Sequence, residues 1–338
     1  MRFFKFFSIF LVVFALGCYL FAEKSPYQTI SGATMGTYYN IKIKTNKENK
    51  LLSKKINEKL KEINKEMSIF DPQSEISRIN NAPKGVWIEL SPHMAALMRS
   101  ADTIYKQSGG AFDPTVGRLV DLWGFGKSGP RGIPSDEEIK NVLKDTGFDK
   151  IKFSSGYSRL QKKRAETYID LSAIAKGYGA DIIAALLEEE GYRDFVVEIG
   201  GEVVARGRKS DEVDGWNIGV VRPGKLHDET PFVVALKNFA VATSGDYRNF
   251  FYQGDRRYSH TISPQTGRPV EHGLASVTVF HDSCMHADAI ATAIMVLGED
   301  QGLHFADRHN LPVILFVREK DDKIKTLLSG EAKKLLGV

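Results

Sequence analysis

Hydrophobic positions recur at helical spacing in several segments of the chain, each with a polar outer face. The first covers residues 46–70, where apolar residues three and four positions apart alternate with charged ones. Residues 91–109 predict a second helix, because Ser91 suits the N-cap, Pro92 the first helical position and Gly109 the stop. Further helices are predicted to begin near Ser135 and to cover residues 175–192, 286–298 and 301–309.

Short apolar runs between these helices have the composition of β-strands. Residues 38–45 alternate between apolar and polar side chains, as in a strand with one buried face. Further strand-like runs are "DFVVEIGGEVVARG", "WNIGVVRP", "PFVVALKNFAVAT", "RRYSHTI", "ASVTVFH", "PVILFVRE" and "IKTLLS". Helices and multi-strand runs interleave without a regular βαβ rhythm, so we predict an α+β fold with a mixed, largely antiparallel sheet and flanking helices.

The N-terminal segment has a different pattern, since an uncharged apolar run over residues 6–22 follows Arg2 and Lys5. A positive segment before an apolar run is typical of an export signal. Cys18 follows "ALG", which resembles a bacterial lipobox whose cysteine is acylated; an uncleaved anchor is the alternative. We therefore predict a signal peptide with a lipobox over 1–18, a tether over 19–30 and a folded domain over 31–338. We also predict a lipoprotein that is exported and anchored at the periplasmic face of a membrane, with the inner membrane favoured over the outer one.

Composition narrows the class of protein further. The 338 residues are 42% hydrophobic and 26% charged, which is ordinary for a globular protein. The formal net charge of +4 is spread along the chain with no basic stripe, which argues against nucleic acid as a partner. If Cys18 carries a lipid, Cys284 has no cysteine partner, and we expect it to be a small buried hydrophobic residue. The common nucleotide-binding fingerprints are absent from the sequence.

Asp288 and Thr292 carry the most specific candidate chemistry. They lie one turn apart in the predicted helix "HADAIATAIMVLG", so their side chains share a face. A carboxylate and a hydroxyl at this spacing are oxygen ligands suited to Mg²⁺ or Ca²⁺. The alternative is that Asp288 interacts with the helix dipole and Thr292 bonds to the preceding turn, and spacing alone favours that alternative.

Three other segments offer weaker signals. "DLSAIAKGYGADI" begins with Asp170 and Ser172 and places Lys176 near a helix N-terminus, where backbone N–H groups and a lysine suit a phosphate. The alternative is an ordinary capped helix with a solvated lysine. The glycine-rich, aromatic segment 109–126 suits a planar cofactor, although a rigid turn is the simpler interpretation. His260 is a candidate for proton transfer or phosphate contact, and a structural histidine in a strand is the alternative. It forms no recognisable catalytic triad with Ser244.

The order of these segments is more specific than any one of them. Nine blocks follow one another between Met35 and Gly298: "ATMGTYYNI", "SIFDPQSEISRIN", "SGGAFDPTVGRLVDLWGFG", "DLSAIAKGYGAD", "EIGGEV", "WNIGVVRP", "VATSGDYRNFF", "HTISPQTGRPV" and "VTVFHDSCMHADAIATAIMVLG". In this order they resemble the ApbE family, the FAD:protein FMN transferases. The lipobox also fits this resemblance, because many members of the family are periplasmic lipoproteins.

The resemblance implies a fold and a reaction. The fold is a single two-lobed α+β domain that holds FAD in the cleft between its lobes. The reaction joins the FMN half of FAD through a phosphoester to a threonine or serine hydroxyl of a target protein, with release of AMP. The implied targets are exported flavoprotein subunits of redox complexes that carry a D-x-x-[ST]-G-A-[ST]-type sequence. Related proteins hydrolyse FAD to FMN and AMP, so an FAD pyrophosphatase is the alternative, and a lipoprotein that binds FAD without turnover is a third.

The resemblance also assigns roles to residues. It implies a Mg²⁺ site formed by Asp288, Thr292 and the backbone carbonyl of Ala173, and it places His260 beside the pyrophosphate. Asp288 and His260 are thus the expected catalytic residues. The expected flavin-side and phosphate-side positions are Met35, Ala111, Phe112, Asp113, Asp170 and Lys176. Phe70 stands in "MSIF" where many members have tyrosine, which keeps a stacking surface and removes a hydroxyl.

Overall fold

The computed structural model describes residues 26–224, 229–246, 249–319 and 323–338. The predicted signal peptide, the lipobox and Cys18 lie outside the described residues. Within the described ranges, none of the helices combines the length and apolar character that a membrane-spanning segment requires.

The described residues form fifteen strands and eight α-helices. The strands are β1 (Tyr27–Thr34), β2 (Thr37–Lys44), β3 (Trp87–Glu89), β4 (Ile151–Phe153), β5 (Arg159–Lys162), β6 (Phe195–Ile199), β7 (Glu202–Arg206), β8 (Trp216–Arg222), β9 (Glu229–Leu236), β10 (Phe239–Gly245), β11 (Phe250–Gln253), β12 (Arg256–Ser259), β13 (Leu274–His281), β14 (Val313–Arg318) and β15 (Ile324–Leu328). The helices are α1 (Lys50–Met67), α2 (Glu75–Asn81), α3 (Pro92–Gln107), α4 (Gly117–Leu122), α5 (Asp136–Leu143), α6 (Ala175–Glu189), α7 (Cys284–Arg308) and α8 (Gly330–Leu336).

An eight-stranded sheet forms the centre of the molecule, in the order β1-β2-β6-β7-β10-β13-β14-β15. Every pair of neighbours in it is antiparallel, as are the pairs in the three smaller sheets β3-β5-β4, β8-β9 and β11-β12. The predicted α+β class with a largely antiparallel sheet is therefore confirmed. The sheet is not mixed, because no parallel pair occurs among the described strands.

The central sheet is buried on both faces. In β14, Leu315 packs into the core that α7 covers, whereas Phe316 points to the opposite face. That opposite face is covered by the β8–β9 hairpin, with Trp216 and Val234, and by α8. Burial on both faces explains why the strand reads as a continuous apolar run rather than an alternating one.

A smaller lobe lies beside this sheet, built from α4, α5 and the β11–β12 hairpin. Its own core includes Leu119, Trp123, Ile139, Tyr258 and Ile262. The indole N–H of Trp123 donates to the carbonyl of Gly267 at 2.7 Å and so ties α4 to the segment after β12. This lobe and the sheet with its helices enclose the cleft in which the candidate site lies.

Most helix boundaries follow the sequence signals. The Ser91 side chain accepts from the N–H of Met94 and Pro92 opens α3, as predicted. Ser135 and Glu138 form a capping box at the start of α5. The two helices predicted over 286–298 and 301–309 belong to the single element α7, which is interrupted where Gly298 adopts φ +80°.

Two predicted boundaries were wrong. Strand β1 begins at Tyr27, so the last four residues of the predicted tether over 19–30 belong to the central sheet, where they pair with β2. The run "PFVVALKNFAVAT" contains two strands that separate at Asn238, whose φ is +55°. Its first half pairs with β8 and its second half with β7 and β13, a division that strand propensity alone does not reveal.

Candidate active site

The cleft contains a cavity of about 560 Å³. Residues from both lobes line it, from the segment between α1 and α2 to helix α7. The predicted site residues that line it are Phe70, Ala111, Phe112, Asp113, Asp170, Ala173, Lys176, His260, Asp288 and Thr292. Residues that are far apart in the sequence thus meet around one cavity.

Helix α7 is fixed against α6 at its N-terminus. The Asp181 carboxylate of α6 accepts hydrogen bonds from the hydroxyl of Ser283 and from the backbone N–H groups of Cys284 and Met285, at 2.8 to 3.0 Å. A carboxylate that satisfies two free N–H groups of the first turn stabilises that end of the helix. Cys284 is fully buried there, as predicted.

Asp288 lies one turn further along α7 and is only 2% exposed. Its Oδ2 accepts the backbone N–H of Gly177 at 3.0 Å, and its Oδ1 lies 3.5 Å from the Nζ of Lys176. A Cβ at Gly177 would come within 2.3 Å of the Cys284 carbonyl oxygen, so only glycine permits this approach of α6 to α7. The close packing of the two helices therefore places the carboxylate in the cavity wall.

Lys176 lies between two buried carboxylates. Its Nζ is 3.0 Å from Oε1 of Glu202 and 3.5 Å from Oδ1 of Asp288. Burial alone would lower the pKa of Lys176, but the two carboxylates raise it above its usual range. The lysine is therefore charged and held in place.

Glu202 is a site residue that the sequence reasoning missed. It is 3% exposed, lines the cavity, and its Oε2 has no hydrogen-bond partner within the described structure. Burial, together with the charge of Asp288, raises its pKa above the usual range, and the charge of Lys176 opposes that shift. In the sequence, the only sign of this role is that Glu202 follows the double glycine in "EIGGEV". The two glycines form the turn between β6 and β7, so Glu202 begins β7 whereas Glu198 lies on β6.

The residues present fit a hard divalent cation. In a regular helix the N–H of Gly177 would donate to the carbonyl of Ala173, four residues earlier, but here it donates to Asp288. Within the described part of the chain, no hydrogen bond to the Ala173 carbonyl is found, so this oxygen is available to a cation. The hydroxyl of Thr292 lies 3.5 Å from that of Ser244, too far for a strong hydrogen bond. The cavity wall thus offers a carboxylate, a hydroxyl and a carbonyl, which is an all-oxygen set of the kind Mg²⁺ prefers.

His260 follows β12 and lines the same cavity. Its Nδ1 is 3.0 Å from the carbonyl oxygen of Asn249, and its ring packs edge-on against Phe125. Burial lowers its pKa below the usual value. The imidazole is therefore neutral at pH 7, and donation of the Nδ1 proton to Asn249 leaves a lone pair on Nε2. Among the described residues it makes no hydrogen bond to Ser244.

Asp113 and Asp170 hold the backbone around the cavity. The Oδ1 of Asp113 accepts from the N–H and the hydroxyl of Thr115, and its Oδ2 accepts from the N–H of Phe148. Burial nevertheless raises the pKa of Asp113. Asp170 accepts the N–H of Ser172 at 2.9 Å and so shapes the turn that leads into α6.

Phe70 and Met35 differ in their relation to the cavity. Phe70 is 68% exposed and stands at the mouth, where a planar ring could stack on its face. Met35 lies in the two-residue turn between β1 and β2 with φ +50°, and its methyl group packs beside Gly179 of α6. It is not among the described residues that line the cavity, so its predicted flavin-side position has no support from this geometry.

The fold and the site define an α+β protein whose cleft joins a lysine, buried carboxylates and a neutral histidine around one cavity. The chain belongs to the ApbE family, which it matches over residues 35–315. It is 39% identical over 311 residues to the FAD:protein FMN transferase of Vibrio cholerae serotype O1, covering 91% of this chain and 92% of the relative. The corresponding enzyme of Escherichia coli K12 is 34% identical over 312 residues, covering 91% and 88%.

Solved structures agree with the family assignment. The apo crystal structure of the flavinyl transferase ApbE of Pseudomonas stutzeri superposes with a TM-score of 0.85 at 34% identity, covering 92% of this chain and 97% of that one. The flavin transferase ApbE of Vibrio cholerae superposes with a TM-score of 0.84 at 37% identity, covering 91% and 98%.

Proposed function

We propose that this protein is an enzyme that transfers the FMN moiety of FAD to a threonine or serine hydroxyl of a target protein. The acceptor oxygen forms a bond to the FMN phosphorus, the phosphorus–oxygen bond to AMP breaks, and the hydroxyl proton passes to a base. The relatives' activity supports this proposal. The observation that carries it is the cavity that collects Lys176, Asp288 and His260 from separate parts of the chain.

The chain's own residues supply charge where the pyrophosphate would lie. Lys176 is charged and immobilised by Glu202 and Asp288, so it offers a fixed cation to phosphate oxygens. Asp288, Thr292 and the carbonyl of Ala173 are the residues that would hold Mg²⁺. When bound, that ion would offset negative charge that develops on the transferring phosphoryl group and on AMP.

His260 is suited to take the acceptor proton. A neutral imidazole with a free Nε2 lone pair can accept a proton, whereas a protonated one cannot. The backbone carbonyl of Asn249 fixes the ring's tautomer and orientation through Nδ1.

The test combines the purified protein, FAD, Mg²⁺ and a target that bears the acceptor threonine. Fluorescent target on a denaturing gel, together with released AMP, is the expected result. Free FMN and AMP without labelled target would instead identify an FAD pyrophosphatase. Intact FAD after long incubation would identify a flavin carrier.

The setting of the reaction is part of the proposal. The export signal and the lipobox at Cys18 support a lipoprotein anchored at the periplasmic face, with exported redox flavoproteins carrying a D-x-x-[ST]-G-A-[ST]-type sequence as targets. We expect Cys18→Ala to move the protein from the membrane fraction to the soluble fraction. Unchanged membrane association of that variant would favour the uncleaved anchor.

A further inference from the structure

A second cluster of ligand-type side chains lies outside the cavity, between α1 and α3. Glu62 and Glu66 lie one turn apart on α1, and His93 lies in the first turn of α3. Their nearest ligand atoms all lie within 4.8 Å of one another. Among the described residues, this is the one such group of three or more histidine, cysteine, aspartate or glutamate side chains.

In each of the three side chains, one oxygen or nitrogen atom is held by a hydrogen bond, and the second oxygen or nitrogen atom is available to a metal. Lys59 Nζ donates to Oε2 of Glu62 at 2.7 Å, and the hydroxyl of Ser91 donates to Oε2 of Glu66 at 2.7 Å. No hydrogen bond to Oε1 of either glutamate is found in the described structure.

His93 follows the same arrangement. Its Nδ1 lies 2.6 Å from the hydroxyl of Tyr178, a residue of α6, which orients the ring and leaves Nε2 for another partner. Nε2 lies 3.6 Å from Oε1 of Glu62, beyond hydrogen-bonding distance. Two ligands at about 2.1 Å from a tetrahedral zinc ion lie about 3.4 Å apart, so this spacing is close to what a shared metal requires.

The charges at this place also call for a cation. Two glutamates at i and i+4 repel each other on a helix. Lys59 offsets part of the charge of Glu62, whereas no lysine or arginine pairs with Glu66 among the described residues. A bound cation would relieve the repulsion, and the nitrogen ligand favours a first-row transition metal over Mg²⁺ or Ca²⁺.

We propose that Glu62, Glu66 and His93 form a second metal site, which binds a divalent transition metal such as Zn²⁺ with water in the remaining position. The site joins α1 to α3. Through Tyr178 it also contacts α6, two residues from Lys176, so metal binding there would stiffen the helix that carries the cavity's lysine. This inference stands apart from the proposed Mg²⁺ site and from the transfer reaction.

The test adds Co²⁺ to the full chain, purified without a histidine tag, and follows the visible absorption bands of tetrahedral cobalt. Added Zn²⁺ should abolish these bands and should raise the melting temperature. His93→Gln and Glu66→Gln should each lose the bands and the thermal shift, whereas Glu58→Gln should keep both. Glu58 is a matched control because it lies on the same helix with its side chain 63% exposed.

The variants must first melt cooperatively without metal, which separates loss of the ligand from loss of the fold. Absence of bands in the unmodified protein would overturn the proposal, as would bands that persist in His93→Gln. Bands lost in Asp288→Asn but retained in His93→Gln would place the metal in the cavity instead. None of these readouts depends on FAD turnover.

Discussion

Gly177→Ala tests the helix contact that positions Asp288. Glycine-to-alanine changes inside helices usually stabilise, by about 1 kcal/mol, because alanine is the better helix former. At Gly177 the added Cβ would lie 2.3 Å from the Cys284 carbonyl oxygen and 2.9 Å from the Cβ of Asp288. Both contacts are far inside ordinary van der Waals separation, so α6 and α7 must move apart.

The expected size of the effect follows from these contacts. Overpacking in a close-packed interior costs about 1–3 kcal/mol. Separation of the helices also weakens the bond from the Gly177 N–H to Asp288 Oδ2, and hydrogen bonds to charged groups are worth about 1.5–3 kcal/mol. After the gain in helix propensity is subtracted, we expect a net loss of about 2 kcal/mol or more. For a domain of roughly 300 residues, with an unfolding entropy of about 2.1 cal/mol/K per residue, a loss of about 2 kcal/mol corresponds to a fall in melting temperature of about 3 °C.

The assay is thermal unfolding by circular dichroism, with FMN transfer measured on the same preparation. Gly330→Ala is the matched control, because a Cβ there would lie 3.7 Å from Asp307 Oδ1, an ordinary contact at the start of α8. We expect the control to melt at or slightly above the temperature of the unmodified protein. A Gly177→Ala variant that melts at or above that temperature with full activity would refute the proposed packing of α6 on α7.

Three further predictions concern the cavity. Lys176→Met should destabilise the protein by about 3–5 kcal/mol in urea unfolding, because it leaves Asp288 and Glu202 buried without a cation. Adding Glu202→Gln should recover part of the loss, and a double variant less stable than the single one would contradict this. Phe70→Tyr should lower the KM for FAD about two- to tenfold by restoring a hydrogen bond, with no change in melting temperature because the ring is exposed; an unchanged or higher KM would count against a ligand contact. Because burial lowers the pKa of His260, the neutral form persists to more acidic pH than in a free histidine, so kcat/KM should fall only below about pH 6.5; an acid limb above that value would argue against the neutral imidazole as base.

The sequence predicts helix positions better than strand boundaries and strand pairing. Helix periodicity and caps at Ser91 and Ser135 are local signals, and they located α3 and α5 closely. Strand pairing is decided by tertiary contacts, which is why the division of "PFVVALKNFAVAT" at Asn238 and the start of β1 at Tyr27 were not anticipated.

The candidate site shows the same difference between residues that local sequence signals identify and residues whose role depends on tertiary contacts. Helix spacing singles out Asp288 and Thr292, and the order of motifs adds Lys176. All three line the cavity, and their roles stay predictions. Glu202 is not singled out, because its importance lies in burial next to Lys176, and a single glutamate after a glycine turn carries no sign of that. The flavin-side position of Met35 stays a prediction, because this residue packs beside Gly179 and is not among the described residues that line the cavity.

The most direct test of the proposed function is the intact mass of the acceptor protein after incubation with this enzyme, FAD and Mg²⁺. We predict a gain equal to one FMN less one water, localised to the acceptor threonine, with one AMP released per modification. Asp288→Ala should leave the acceptor mass unchanged under the same conditions without chelator. An unmodified acceptor in the presence of the intact enzyme, or full modification by Asp288→Ala, would contradict the account.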